Sequence, residues 1–452
     1  MRMYGFSALV AAGLLAGGLT ASSASAADLG GNCCADLEER IAELEATTAR
    51  KGNRKVSLTI SGWVGQQITW WDMDADNPAL SESNVYVHDL GTTLGSHFKM
   101  TGQATIMPGW SAGYVIHVEV FGSETLLMTN QGRATGPNLY DSDILGLGGD
   151  TAAINFAGVN TLQSFWFIKS DHLGKVGIGL QSQASDNTAI LPDGSGSLVP
   201  ANFVVFDYGG FFTGGTPGIW GDEEGCSDCN GIPVNNVRYD SPTWRGFSVS
   251  ASWGEDDFWD VAARYAGEHH GFKVSVAAAY SESTDEHIIT CLGPGGSGLP
   301  NAPGCGIIGQ PLNSQFFQIG AYVQHMHSGL WVYGAYTEHE ADPLSGFGPN
   351  NFSENEVYYI KAGLRRRWHP LGHTVLYGEY KRAERERFAG MFVDTEVNLW
   401  GLGVVQEIDA AAMSMWLTYR HLSGESNLDG DPFDRVNLED FQYAKFGALI
   451  NF

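Results

Sequence analysis

Leu58-Thr59-Ile60-Ser61-Gly62-Trp63-Val64-Gly65-Gln66-Gln67-Ile68-Thr69-Trp70 alternates with a period of two. Leu58, Ile60, Gly62, Val64, Gln66, Ile68 and Trp70 form a mostly apolar face. Thr59, Ser61, Gly65, Gln67 and Thr69 make the other face small and polar, with Trp63 as its exception. Because successive side chains of a strand point to opposite sides, this is a β-strand with one greasy face and one wet face. The alternation returns in Phe98, Met100, Gly102, Ala104 and Ile106 against His97, Lys99, Thr101, Gln103 and Thr105. It returns again in Ala112, Tyr114, Ile116, Val118 and Val120 against His117 and Glu119, after the tight turn at Pro108-Gly109.

The rest of the chain repeats this hairpin with unequal loops. Short turns fall at 171–174, 242–246, 269–271, 327–329, 369–372 and 407–410; long polar loops fall at 72–84, 123–160, 182–232, 281–313, 340–355 and 423–439. The alternating segments number about sixteen, with short turns at one end and long loops at the other. If the apolar faces pointed inward, a closed sheet of that size would enclose more space than side chains can fill. With the apolar faces toward lipid and the polar faces lining water, closure satisfies every backbone group. The last segment agrees: Ala444, Phe446, Ala448, Ile450 and Phe452 alternate up to an aromatic final residue. The fold expected is all-β, a 16-stranded antiparallel transmembrane β-barrel, with a short N-terminal helical or coiled-coil segment.

Composition points the same way. The 452 residues include 59 Gly, 23 Phe, 17 Tyr and 13 Trp, a mixture suited to aromatic-rich strands and glycine-rich turns. The net charge of -26 excludes nucleic acid as a main partner, since that affinity depends on Lys and Arg neutralising phosphates. The longest apolar run, Phe6 to Leu19, follows Arg2 and precedes Ala24-Ser25-Ala26, so residues 1–26 read as a signal peptide. Residues 27–55 are expected to form a periplasmic stalk, with Leu37, Ile41, Leu44 and Thr48 as a coiled-coil seam that either packs on the chain or meets identical stalks. Residues 56–452 form the barrel.

Two stretches are long and distinctive. One runs from Cys33-Cys34-Ala35-Asp36-Leu37 through Lys51-Gly52-Asn53-Arg54-Lys55 into the first strand. The other is Val237-Arg238-Tyr239-Asp240-Ser241-Pro242-Thr243-Trp244-Arg245-Gly246-Phe247, continuing to Ser252-Trp253-Gly254-Glu255. Both resemble a known family, the porins of alphaproteobacteria, especially those of the Rhizobium and Brucella group. The resemblance implies an outer-membrane homotrimer of general-diffusion channels with a long third loop folded into the lumen. It places that constricting loop between the strands around Val176–Gln181 and Val234–Tyr239. The loop's acidic residues are Asp186, Asp193, Asp207, Asp222, Glu223 and Glu224, beside the aromatic residues Phe203, Phe206, Tyr208, Phe211 and Phe212. Basic wall candidates from the polar phase of the strands are Lys99, Arg238, Arg264, Lys361 and Arg365. Carboxylates set against basic groups give a transverse field that orients polar solutes. Ala27-Asp28 resembles the start of family members joined to peptidoglycan, which makes Ala27 a candidate attachment point.

Other motifs carry less. Gly109-Trp110-Ser111-Ala112-Gly113 matches a nucleophile elbow but enters an alternating strand instead of a strand-to-helix turn. Cys226 and Cys229 look like a redox or zinc pair, but Cys291 and Cys305 are too widely spaced to complete a zinc site. Disulfides are expected of these four in an exported protein, with two local bridges preferred. Adjacent Cys33 and Cys34 would be strained as a bridge; a link between subunits is the alternative. Asp72, Asp74 and Asp76 fail the calcium-loop pattern at Asn77 and Ser83. Like Asp429, Asp431 and Asp434, they read as solvated carboxylates, with cation bridging to lipopolysaccharide phosphates as the alternative. His325 and His327 read as interfacial. No cofactor or metal site is expected. The function expected is passive passage of small hydrophilic solutes and ions, not catalysis; an outer-membrane barrel protease or lipase and a substrate-specific uptake channel are the competing classes.

Overall fold

The computed structural model describes residues 55–74, 82–91, 93–121, 125, 128, 158–214, 218–254, 257–291, 305–343, 351–389, 392–427 and 435–452. The signal segment, Ala27, Cys33, Cys34, the stalk seam, Asp76, Asp429, Asp431 and Asp434 lie outside the described residues.

Alternation becomes strand throughout. In chain order these are β1 (Thr59–Met73), β2 (Glu82–His88), β3 (Ser96–Met107), β4 (Trp110–Phe121), β5 (Gly158–Ser170) and β6 (Gly174–Gln181). Next come β7 (Val234–Asp240), β8 (Phe247–Gly254), β9 (Trp259–His269), β10 (Phe272–Cys291), β11 (Cys305–His325) and β12 (Leu330–Pro343). The series ends with β13 (Asn351–His369), β14 (Gly372–Ala389), β15 (Phe392–Ile408), β16 (Met413–Asn427) and β17 (Arg435–Asn451). A five-residue helix, α1 (Trp220–Glu224), sits between β6 and β7. The seventeen strands form one sheet. They make a closed barrel of sixteen staves, because β2 and β3 share one: β2 pairs with Gln67–Met73 of β1 and β3 with Thr59–Trp63. Closure comes from β1 pairing antiparallel with β17, from Trp63 opposite Asn451 to Met73 opposite Phe441. Gly62 and Phe452 exchange backbone hydrogen bonds of 3.0 Å in both directions, sealing the seam.

Within the divided stave, residues 89–91 and 93–95 are tied down from the lumen side. Trp63 donates Nε1–H to Leu94 O at 3.0 Å, and the Glu119 carboxylate accepts from the backbone of Gly95 at 2.8 Å and of Thr93 at 3.2 Å.

Exposure settles which face meets what. On β1, Val64, Ile68 and Trp70 are 57%, 45% and 40% exposed, whereas Gln67 and Thr69 are 3% and 1% exposed. The apolar phase therefore points outward and the polar phase inward, the inverse of a water-soluble barrel. On β17, Phe446 and Ile450 face out while Tyr443 and Lys445 face in. An outward aromatic girdle follows the long-loop end, with Tyr280 opposite Phe317, Tyr336 opposite Tyr358 and Tyr380 opposite Trp400 in direct cross-strand register. Trp244, Phe247, Phe272, Trp368 and Phe452 are exposed at the short-turn end. Two such rings bracket an apolar band, as aromatic side chains do at both faces of a bilayer.

Short turns are held by glycine where backbones crowd. Gly174 has φ +91° and Gly329 φ +77°, and a Cβ there would lie 2.2 Å from Asp240 O and 2.3 Å from Arg365 O. Several strands run further than alternation indicates. β10 extends to Cys291 and β11 starts at Cys305, with these two residues opposite each other, although 281–313 reads as loop. Beyond the girdle, strand pairing still satisfies backbone groups, but water bathes both faces and no polarity pattern marks it.

Leu376 lies outward on β14, four residues from the girdle residue Tyr380. Leu376→Arg is expected to cost about 2–4 kcal/mol, the penalty for a guanidinium near the hydrocarbon midplane. Denaturant unfolding in lipid vesicles checks it, and an unchanged midpoint would move Leu376 off the lipid face.

Candidate functional site

The inner face of the wall offers an incoming segment hydrogen bonds and charges, together with buried aromatic and aliphatic side chains such as Trp331, Tyr359 and Val397. Residues 182–233, between β6 and β7, are held in that way. At the root, Arg238 donates to Ser182 O and Gln183 O, both at 3.0 Å, and Arg264 donates to Ala184 O at 2.6 Å and Thr188 Oγ1 at 3.1 Å. Ser185 N–H reaches Asp260 Oδ2 at 2.5 Å. The loop then follows the inner wall. Gln318 of β11 accepts from Ala189 N–H at 2.7 Å and donates to Ser185 O at 2.8 Å; Tyr333 of β12 donates to Ala189 O at 2.6 Å. Only glycine fits opposite: a Cβ on Gly320 would sit 1.9 Å from Ala189 O.

Four fully or almost fully buried wall cations fasten the middle of the loop. Lys361 of β13 pairs with Asp193 at 2.7 Å and donates to Ala201 O at 2.5 Å. Lys381 of β14 pairs with Glu224 at 2.5 Å and donates to Phe203 O at 3.0 Å and to the Tyr208 hydroxyl at 2.5 Å. Tyr208 in turn donates to Glu224 at 3.0 Å. Arg420 of β16 donates to Asn202 O at 2.6 Å while Glu379 holds it through two 2.8 Å bonds. Lys445 of β17 pairs with Asp207, whose other oxygen accepts from Gln67 at 3.0 Å. Burial alone would raise the Asp207 carboxyl, but Lys445 and then Arg420 hold it below the ordinary carboxylate value.

Past Asp207 the loop contributes to an aromatic core inside the lumen. Phe211 lies 5.1 Å from Trp71 and 4.7 Å from Phe441 between ring centroids, with Trp220 and Tyr443 adjoining. The chain then turns back through α1. Thr395 donates to Glu223 at 3.1 Å, Asn355 donates to Glu224 O at 2.6 Å, and Gln183 closes the circuit on Asn230 O at 2.6 Å. Cys226 and Cys229 are joined by a disulfide on this return limb.

The arrangement is a closed β-wall with a long segment clamped across part of its polar bore, which is the geometry of a constricted channel. Comparison with known proteins agrees: the family described as Gram-negative porin matches residues 8–427. The chain belongs to the Gram-negative porin family. Its place is therefore the bacterial outer membrane, and its family is one of channels, not enzymes. Solved porin-like structures share the fold. A loop-deletion form of OmpT, an outer membrane protein of Vibrio cholerae, gives a TM-score of 0.52 at 12% identity, covering 88% of this chain and 100% of that one. An anion-selective porin from Comamonas acidovorans gives 0.51 at 14% identity, with 88% and 100% covered. The trimer form of OmpT gives 0.51 at 12% identity, with 88% and 99% covered. No curated protein sequence matches the chain.

In this porin the residues singled out from sequence fall into different roles. Asp193 and Lys361 meet directly, whereas Asp207 and Glu224 meet Lys445 and Lys381, which sequence reasoning passed over. Lys381 and Lys445 lie in the inward phase of β14 and β17, so the alternation held the signal. Arg238 and Arg264 grip loop carbonyls. Arg365 is bonded to Glu407 at 2.8 Å, near the short-turn end. Lys99 is buried on the inner face of β3, beside His117 opposite on β4. Asp222 is exposed; its backbone carbonyl accepts from Arg385 and its backbone N–H donates to Ile219 O at 2.9 Å.

Removing one partner of a buried pair strands the other charge. Lys381→Met is expected to weaken loop docking by about 3–5 kcal/mol, and Lys381→Met with Glu224→Gln to recover most of it. Thermal unfolding combined with protease cleavage of the loop reads both, and additive single effects would refute the coupling.

Asp186, at the loop root, is pushed from the usual 3.8 up to about 6, by burial above all. Its folded-state pKa is raised, so its stabilisation is complete at pH below 3.8 and is lost as pH rises through 6. The expected loss between these limits is about 3 kcal/mol. Thermal unfolding at pH 4 and pH 7 should show this pH dependence in the native porin and a flatter profile in Asp186→Asn.

Proposed function

We propose that this barrel is a general-diffusion channel through which small hydrophilic solutes and ions cross the outer membrane passively. The observation that carries the reading is the loop of residues 182–233 clamped to a polar inner wall, which narrows the bore and leaves its lining hydrophilic. On this reading Asp186, Asp193, Asp207, Asp222, Glu223 and Glu224 lie on the constricting side and Lys99, Arg238, Arg264, Lys361 and Arg365 on the wall. Cation preference is part of the proposal: with Asp193, Asp207 and Glu224 neutralised in contact pairs, exposed carboxylates such as Asp222 and the net charge of -26 attract cations to the mouth.

The working unit is a homotrimer embedded among outer-membrane lipid and lipopolysaccharide, supported by the trimeric form of the similar Vibrio cholerae protein. Migration well above the monomer in unheated gels tests it. The affinity with porins of the Rhizobium and Brucella group rests on the two resembling stretches, 33–58 and 237–255, and attachment of Ala27 to peptidoglycan on the resemblance of the Ala27-Asp28 start. Mass spectrometry of digested cell walls reads the attachment, and exclusively unmodified Ala27 peptides would exclude it.

Vesicles containing the protein should swell in isotonic solutions of small sugars, without saturation by any one solute. Asp222→Asn should move the reversal potential in a salt gradient toward weaker cation preference. Vesicles as tight as protein-free ones would end the channel reading, and saturable block by a single sugar would replace it with a substrate-specific channel.

A further inference from the structure

Buried oxygen atoms without donors collect where the return limb of the loop meets its root. Cys226 and Cys229 close a turn with Ser227 and Asp228 between them. Ser227 Oγ and Asp228 Oδ1 are both buried and, among the described residues, without a hydrogen-bond partner. The root supplies Gln183, 2% exposed, whose Nε2 donates to Asn230 O at 2.6 Å and to Ile232 O at 3.2 Å. That grip fixes the amide against the turn and leaves Gln183 Oε1, also buried, with no donor. Asn230 ties the two sides together: its carbonyl is held by Gln183 and its N–H is taken by the Asp228 carboxyl.

Three such oxygens on two adjoining limbs call for a physical cause, because buried polar atoms are rarely left unpaired. Asp228 is the most costly of them. Burial raises its carboxyl well above the ordinary carboxylate range, Asp186 raises it further, and the Asn230 N–H is the one group that offsets them. Arg238, the cation at the root, is committed to Asp240 at 2.8 Å and to the carbonyls of Ser182 and Gln183. A buried carboxyl without a basic partner either keeps its proton or takes a metal cation.

We infer that Asp228 Oδ1, Gln183 Oε1 and Ser227 Oγ bind a hard divalent cation of the calcium class, stapling the root of the loop to its return limb. The donor set is oxygen only, a carboxylate, an amide carbonyl and a hydroxyl, which suits calcium and not the softer transition ions. Calcium accepts about six to eight oxygens in flexible geometry, so water completes the shell. Asp186 adds a second acidic group beside the ion without serving as a ligand. The disulfide stays closed and holds Ser227 and Asp228 in one turn. The ion secures the two ends of the loop, whereas the pairs at Lys361, Lys381 and Lys445 hold its middle.

The test uses the full protein in detergent with its disulfide intact, stripped of metal by a chelator and dialysed near neutral pH into about 0.15 M KCl, where exposed carboxylates are screened. Calcium chloride is the probe, in isothermal titration and in thermal unfolding. Expected is about one Ca²⁺ per chain with a Kd of roughly 10⁻⁴ M, in the range of extracellular calcium modules, and a Tm that rises with calcium concentration. Asp228→Asn should weaken binding at least about tenfold and abolish that rise, yet melt no lower than the native chain without calcium, because it removes the unpaired acid. Ser227→Ala should weaken binding severalfold. Heat-modifiable gel mobility confirms that each variant is folded, and Ser227→Ala carries the test if Asp228→Asn is not. Equal calcium affinity in the folded variants, or a calcium-induced rise in Tm that survives undiminished in them, would overturn the site and assign the ion to exposed carboxylates or lipid phosphates. Absence of any calcium effect on the native chain would overturn it as well.

Discussion

Hydrocarbon offers no hydrogen bonds, so every backbone group that crosses it must find its partner within the protein. For strands this requires closure, and the pairing of β1 with β17 provides it. Closure at sixteen staves leaves a bore too wide for wall side chains to fill, and the outward apolar face leaves a polar inner one. The segment that narrows the bore is fixed to that inner face by ions and hydrogen bonds, through the buried Lys361, Lys381, Arg420 and Lys445, and by packing of Phe203, Tyr208 and Phe211 against buried wall residues such as Tyr359, Tyr443 and Phe441. Aromatic contacts also run along the wall itself, between Tyr322 and Trp331 and between Tyr333 and Tyr359, and the loop adds its own rings around Phe211.

Contact pairs change the electrostatic character of a constriction. A carboxylate touching its ammonium partner presents a short dipole to the bore, whereas separated charges project a field across it. Asp193 with Lys361 and Glu224 with Lys381 are of the first kind, as is Asp207 with Lys445. Their main contribution is to loop position. Solutes then respond to the groups left facing water, a smaller set than the acidic content of the loop suggests.

Sequence disclosed the wall better than the loop's path along it. Ile68 and Trp70 against Gln67 and Thr69 define the faces of β1 from a periodicity that needs only neighbouring residues, and the lipid boundary enforces it along every stave. The loop's partners are remote. Lys445 lies 238 positions from Asp207 and Lys381 lies 157 from Glu224, and no local pattern links them. Inward phase marks Lys381 and Lys445 as lumen residues, yet which carboxylate each meets depends on how residues 182–233 turn in space. The division of one stave into β2 and β3 is equally illegible, because His88 and His97 each continue a normal alternation on either side of the break.

The seam between β1 and β17 also governs how the molecule can form. Hairpins such as β13–β14 join residues close in the chain, but Trp63 meets Asn451 only when nearly the whole polypeptide is present. The search for that contact is of the highest order the chain allows, and folding slows as contacts become more distant in sequence. Until it is made, β1 and β17 are open edges carrying unpaired backbone groups and apolar side chains, the state most prone to aggregation. An escorted passage across the periplasm, with release only at a membrane surface, follows from the position of that one seam.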